Sequence, residues 1–221
     1  MDASWTADRA ELEAQGFVVR TVRARPSFVE AEVIRETQAI LMQWARDSAF
    51  RFFPLVEHEE LGLALHPFDL ATNKVLALVG RLEVRDWIDV IECDQRLQPL
   101  GYLAWAACGK DPGFSPAAIL EQAARTARYS QAGVQELQFA GPVPDAGHLS
   151  RCWHAALGEA RRITAAPPAD DAGKCVLTAN GDLYKGSAAE LVAALQRQQI
   201  TFHPGRIRGA LPQLVKTASQ A

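Results

Sequence analysis

The apolar residues of this chain change period once, and that change limits what the chain can fold into. From Phe17 to Trp44 apolar and polar residues alternate. From His66 onward apolar residues recur at spacings of three and four. Alternation lays one face of a strand on a core, and the longer period lays one face of a helix on it. The order of the two blocks predicts an α+β fold, with a small sheet first and a helical region after it.

Within the first block a short polar helix is expected over residues 6–15, ending at Gly16, a favourable C-terminal cap. Strands are expected over Phe17–Ala24, Phe28–Ile34 and Ala39–Trp44. Hairpin turns at Pro26-Ser27 and Arg35–Gln38 make the sheet antiparallel. Residues 50–65 are irregular, with room for one further short strand. Pro67 and Asp69 then form a start signal for a helix over Leu70–Arg81. Further helices are expected over Glu83–Leu97, stopped by Pro99, over Gly101–Cys108, over Ser115–Tyr129 and over Ala146–Ile163. Ser115 is a capping residue followed by a proline at the first helical position. Ala165–Gly173, with two prolines and two aspartates, is expected to be a linker. Beyond it Asn180-Gly181 lies between two short apolar runs, a hairpin signal, and Ser187 caps a helix to about Gln198. Ile200–Phe202 could return as a strand. The expected division is therefore a sheet region over 1–65, a helical domain over 66–164 and a small hairpin–helix unit over 173–221.

Composition narrows the partners. The net charge is -3 and the pI about 6.0, so no global positive field draws in nucleic acid or anionic lipid. RNA contact would need a local basic patch. The four cysteines, Cys93, Cys108, Cys152 and Cys175, form no C-x-x-C pair, which speaks against a zinc site or a thioredoxin-like motif. Charged residues from Asp2 onward exclude a signal peptide, and no apolar run reaches the roughly 20 residues that span a bilayer. A reduced, cytoplasmic protein with no membrane partner is expected.

The chemistry-bearing segment is Leu65–Pro99. Lys74 has Leu70, Ala71, Ala77 and Leu78 three and four residues away, so it rises from the apolar stripe of its helix. Arg81 follows seven residues later, about 10 Å along the same stripe. Unpaired buried charge is very costly, so both cations need anionic partners. A bound triphosphate is one candidate; carboxylates of the same chain, met by snorkelling side chains, are the other. On the next helix Val84, Trp87, Ile88 and Ile91 form the apolar stripe, so Asp86 and Asp89 are expected to point away from it. Arg85 and Asp89, four apart, are spaced to pair. Either this is a solvated, ion-paired face, or the aspartates support Lys74 or Arg81.

These two segments carry a family resemblance. Asp69-Leu-Ala-Thr-Asn-Lys74-Val-Leu-Ala-Leu-Val-Gly-Arg81 resembles the second motif of the AbiEii/AbiGii nucleotidyltransferase toxins. Arg85-Asp86-Trp-Ile-Asp89-Val-Ile is similar to their third. The two also stand at that family's short separation, and the likeness covers about residues 17–130. It implies a nucleotidyltransferase-type antiparallel or mixed sheet followed by helices. It implies transfer of a nucleotide from a nucleoside triphosphate, with Mg²⁺, to an RNA or protein acceptor, in some members the end of a tRNA. It implies Lys74, Arg81 and Arg85 as nucleotide-binding residues, Asp86 and Asp89 as catalytic ones, and an antitoxin as a possible partner. The family's first motif, a Gly-Gly or Gly-Ser turn followed by two aspartates one residue apart, has no counterpart here and would fall before Met1. Hard divalent cations need such oxygen ligands. This chain is accordingly expected to be inactive as a transferase. The alternative is a non-catalytic remnant that binds nucleotide, RNA or a partner.

Weaker constellations remain. Glu30 and Glu32 alternate on strand-like sequence and read as outward-facing carboxylates. Arg151, His154, Arg161 and Arg162 share one side of the helix over 146–163, a solvated face or a track for phosphates. The basic turn His203–Gly209 suits an anion or is only a loop. His58 stands among Glu57, Glu59 and Glu60 without a helical metal-binding pattern.

Overall fold

The computed structural model describes residues 2–46, 49–60, 62–125, 129–207 and 214–215. It is an α+β fold: a three-stranded sheet, then helices, then a small C-terminal strand pair. The chain divides into two compact units, Met1–Ser48 and Ala49–Ala221.

In the first unit helix α1 (Asp2–Ala14) precedes strands β1 (Val18–Arg25), β2 (Phe28–Arg35) and β3 (Gln38–Ala45), paired antiparallel in the order β1-β2-β3. The three strands lie within one or two residues of those read from the alternation. Helix α1 starts earlier than expected, at Asp2, and Gly16, with φ of 85°, turns the chain out of it. Val19, Ala31 and Val33 are buried on one sheet face beneath Trp5, Leu12, Phe17 and Trp44. Trp5 and Trp44 meet edge to face at 4.6 Å, and the Trp44 indole donates to Asp8 at 2.8 Å. The opposite face carries Glu30 and Glu32, beside Arg23 and Arg20 of β1.

The second unit opens with more strand than the sequence suggests. β4 (Phe50–Arg51), β5 (Leu55–His58) and β6 (Gly62–Ala64) are all short, and their partners include segments far along the chain. β5 pairs with β6 and with β10 (Leu214–Val215), and β4 pairs with β9 (Arg206–Ile207). Helices α2 (Pro67–Arg81), α3 (Val84–Arg96), α4 (Leu100–Ala107), α5 (Pro116–Ala124), α6 (Gln131–Gln135) and α7 (Ala146–Thr164) follow. α5 stops at Ala124, short of the expected Tyr129; residues 126–128 lie outside those described. All eight residues of α4 are buried, as its uninterrupted apolar sequence requires. Gly101 lets α4 approach α7: a methyl group there would sit 2.6 Å from Ile163 Cβ.

The stretch read as a linker is tied into this unit. A 3₁₀ turn occupies Ala169–Asp171, the Trp105 indole donates to the Asp171 carbonyl at 2.9 Å, and Gly173 N–H donates to the Trp105 carbonyl at 2.9 Å. β7 (Lys174–Thr178) bends back at Asn180-Gly181 as the hairpin signal indicates, with a single bridge from Leu177 to Leu183. Its full-length partner is instead β8 (Ile200–Pro204), reached across α8 (Ala188–Gln196). Ser187 and Glu190 form a reciprocal capping box at the start of α8. Among the described residues no helix is long and apolar enough to cross a membrane.

Candidate functional site

α2 and α3 are joined by a tight turn in which Leu82 adopts a left-handed conformation, with φ of 57°. This turn brings the end of one helix beside the start of the next and sets Arg81 against Asp86. Arg81 Nε donates to Asp86 Oδ2 at 2.6 Å and Nη2 to Oδ1 at 3.0 Å. Lys74 Nζ lies 3.4 Å from Asp86 Oδ1 and 2.6 Å from Asp89 Oδ2. Four of the five residues singled out by their motifs thus form one network.

Of the two readings of the aspartates, the structure shows the second, in which they meet Lys74 and Arg81, and it adds a burial that the sequence did not show. Of the expected stripe Trp87 and Ile91 are buried and Val84 and Ile88 half-buried; Val90 is buried beside them, and so is Asp86, its side chain 0% exposed. The helical stripe places Asp86 away from its own apolar face; it does not see that α2 covers that side and supplies two cations. Burial pushes the Asp86 carboxyl up. The hydrogen bonds and charge of Arg81, with Lys74 in support, outweigh it and hold the carboxyl below its ordinary value. Arg85 is corrected: its guanidinium meets Glu83, just before α3, at 2.8 Å, not Asp89 four residues on. Arg96 and Glu92 close the set at 2.7 Å. Lys74 takes the second of its two possible kinds of partner, carboxylates of its own chain. Its apolar surroundings are incomplete, since Leu70 is 46% exposed, and Lys74 itself is 37% exposed.

The exposed half of the network borders open space. A groove of about 420 Å³ lies along α2 and α3, lined by Leu70, Lys74, Asp89, Cys93 and Arg96. A second, of about 650 Å³, adjoins Arg85, Ile88 and the loop around Phe139 and Pro142, and shares Asp89, Glu92 and Arg96 with the first. Burial, followed by the charge of Asp89, raises the Cys93 thiol to about 11, so it is not a nucleophile at neutral pH.

The donor set does not fit a divalent-metal centre. Both Asp86 oxygens face cations and Asp89 Oδ2 faces Lys74, whereas Mg²⁺ asks for open carboxylates in octahedral array. Glu30 accepts from Gln43 at 2.7 Å. No group of three or more His, Cys, Asp or Glu that could hold a metal occurs among the described residues, His58 and its glutamates included.

Sequence reasoning missed a second charged cluster. Asp69, fully buried in the first turn of α2, accepts from the backbone N–H groups of Phe52 and Phe53 at 3.0 Å each. It also meets Lys110 Nζ at 2.9 Å, and Lys110 donates further to Asn73 Oδ1 at 2.7 Å. Lys110 stands 41 positions from Asp69, so no local period links them. The start-signal role of Asp69 was visible; its partner was not. The turn at 203–209 is also partly inward: His203 Nε2 lies 2.8 Å from the Phe52 carbonyl and its ring stacks on Phe53. Arg208 and Gly209 lie outside the described residues. On α7 Arg151, His154, Arg161 and Arg162 are exposed, with Arg162 paired to Glu159.

The chain matches no protein-family model, no curated protein and no solved structure.

Proposed function

We propose that this chain binds a phosphate-bearing nucleotide, by its motifs a nucleoside triphosphate, in the groove along α2 and α3, and that residues 1–221 do not transfer it. The supporting observation is a charge network with two tiers. Arg81 binds both oxygens of the buried Asp86 carboxylate, with one hydrogen bond to each. Lys74 contributes a longer contact there and spends its shorter one on Asp89, whose side chain is 45% exposed. Exposed pairs of this kind contribute about 0–1 kcal/mol. Lys74 can turn from Asp89 to a phosphate oxygen at little cost while Arg81 keeps Asp86 neutralised. Arg85 and Arg96, each held by an exposed glutamate, are available in the same way.

In this reading Asp86 positions Arg81 and Lys74 and ligates nothing. Transfer requires charge stabilisation at the reacting phosphoryl group, which the resembling enzymes draw from metals on paired aspartates. Binding that is equal in ground and transition states does not accelerate chemistry. A non-catalytic nucleotide-binding protein is thus favoured over an active transferase.

Calorimetric titration with each of the four triphosphates tests this. Expected is weak binding, micromolar to millimolar, or about 4–8 kcal/mol. Lys74→Met should weaken it about tenfold and leave the melting temperature within a degree or two, as loss of an exposed pair should. Binding unaffected by Lys74→Met, or no binding at all, overturns the assignment of the groove. Labelled triphosphates incubated with Mg²⁺ and total tRNA should leave RNA and protein unlabelled. Transfer that disappears in Lys74→Met would overturn the non-catalytic part.

A further inference from the structure

The two edges of the first unit's sheet differ in kind. β1, at one edge, carries Arg20, Arg23 and Arg25, and its register with β2 shifts between Thr21 and Arg23. Charges and irregularities of this sort are how folded proteins keep an open edge from pairing with another chain. β3, at the other edge, has none of them. Its sequence, Gln38-Ala-Ile-Leu-Met-Gln-Trp-Ala45, contains no charge and no proline, and it pairs with β2 through all eight residues without a shift. Among the described residues no strand pairs its outer side. Apolar side chains are exposed on both of its faces: Ile40 by 61% and Met42 on one, Leu41 by 53% on the other.

Register identifies the occupant. Residues directly opposite one another in an antiparallel pair share a face, so a strand pairing with its own copy matches positions of the same parity. With the two-fold axis at Leu41, Leu41 meets Leu41, Ile40 meets Met42, Ala39 meets Gln43 and Gln38 meets Trp44. Apolar residues oppose apolar ones at the centre, and no like charges meet. Through its register shift β1 carries Arg20, Arg23 and Arg25 on one face, so pairing with its own copy would gather like charges there, which is destabilising. We infer that two copies of this chain associate through β3, antiparallel about an axis at Leu41, into one six-stranded sheet.

Sedimentation equilibrium of the full chain tests the inference, from low to high micromolar concentration. The expected mass rises from 24.1 kDa to twice that value. Leu41→Lys places two ammonium groups against each other at the axis, and Ile40→Lys puts a charge on the other face. Both side chains are more than half exposed, and each variant should keep its circular dichroism and remain monomeric. Val22→Lys, on the exposed part of β1, should dimerise like the parent. Hydrogen exchange in β3 should slow as the parent is concentrated. A monomer at every concentration overturns the inference. So does a dimer that both Ile40→Lys and Leu41→Lys leave intact, or one that Val22→Lys disrupts.

Discussion

Arg81 grips Asp86 in parallel, Nε to Oδ2 and Nη2 to Oδ1, across the left-handed turn at Leu82. Asp86 is sealed from water, whereas Arg81 is 46% exposed. Asp86→Ala removes the two Arg81 bonds and the longer Lys74 contact but leaves two cations that water can reach. Its cost should be about 2–3 kcal/mol, below that of orphaning a fully buried charge. Asp89→Ala should change stability by no more than about 0.5 kcal/mol. Urea unfolding of the two variants checks the contrast, and equal losses would remove the two-tier description.

Acidity should separate Asp86 from Asp94. The Asp86 carboxyl is held low in the fold, so its contribution is present above the unfolded value of about 3.9 and is lost as pH falls through the lower folded value. The stability gap between the parent and Asp86→Asn should therefore narrow as the medium is acidified below about pH 4. A gap that is constant down to strong acid would show that Asp86 acts by packing alone.

Asp94 runs the other way. Burial raises its carboxyl, while its Oδ1 accepts from Leu100 N–H at 2.7 Å at the start of α4. Its favourable state is the protonated one, present below the unfolded value and lost as pH rises through the higher folded value. Asp94→Asn keeps an oxygen for Leu100 and carries no charge. At neutral pH its melting temperature should equal or exceed the parent's, and the advantage should vanish in acid. Scanning calorimetry at two pH values decides this.

The buried pair beneath α2 predicts an unequal response to removing either partner. Asp69 serves Lys110 and two backbone N–H groups, so Asp69→Ala strands both N–H groups and takes from the buried Lys110 ammonium its carboxylate, leaving it bonded to Asn73 and the residue 69 carbonyl. That should cost about 3–5 kcal/mol. Lys110→Met keeps much of the packing and leaves Asp69 its backbone donors, and should cost less. If Lys110→Met proves the worse of the two in chemical denaturation, the pair is not anchored by the backbone of Phe52 and Phe53.

The segment 165–173 should resist proteases in the native state. Its prolines and aspartates resemble a linker, yet Trp105 holds it at Asp171 and Gly173, and Lys174 pairs with Asp171 at 2.7 Å. Trp105→Phe keeps the ring and deletes the indole donor. It should make this stretch the first to be cut in limited proteolysis, with the parent uncut there.

Local signals made part of this legible. The alternation of Phe17–Trp44 yielded the sheet because one face of each strand has only one place to go, and capping residues located α2, α5 and α8. The α2–α3 cations were found because Lys74 breaks an apolar stripe. What the chain concealed was set by its partners. β4 and β9 are two residues each and meet across more than 150 positions, too short for any period. The burial of Asp86 was not legible because a helical wheel represents one helix, and α2 is what covers it. Lys110 follows α4 with nothing nearby to betray Asp69. The linker reading failed because proline and aspartate report local conformation and say nothing of an indole 66 residues away.

Gln98, in the turn between α3 and α4, donates both hydrogens of its amide to late backbone, to the Val176 carbonyl at 3.0 Å and the Tyr184 carbonyl at 2.7 Å. Those acceptors are 78 and 86 positions downstream. Cys175 and Leu177, on the same strand, belong to the core that α2 and α4 share. During vectorial synthesis, the buried helix α4 leaves the ribosome long before β7 exists to cover it. At about 5–20 residues per second, its apolar surface waits several seconds for the strand that closes it. The second unit is thus a late-closing fold, in which a nascent chain halted before residue 174 exposes sticky surface to chaperones.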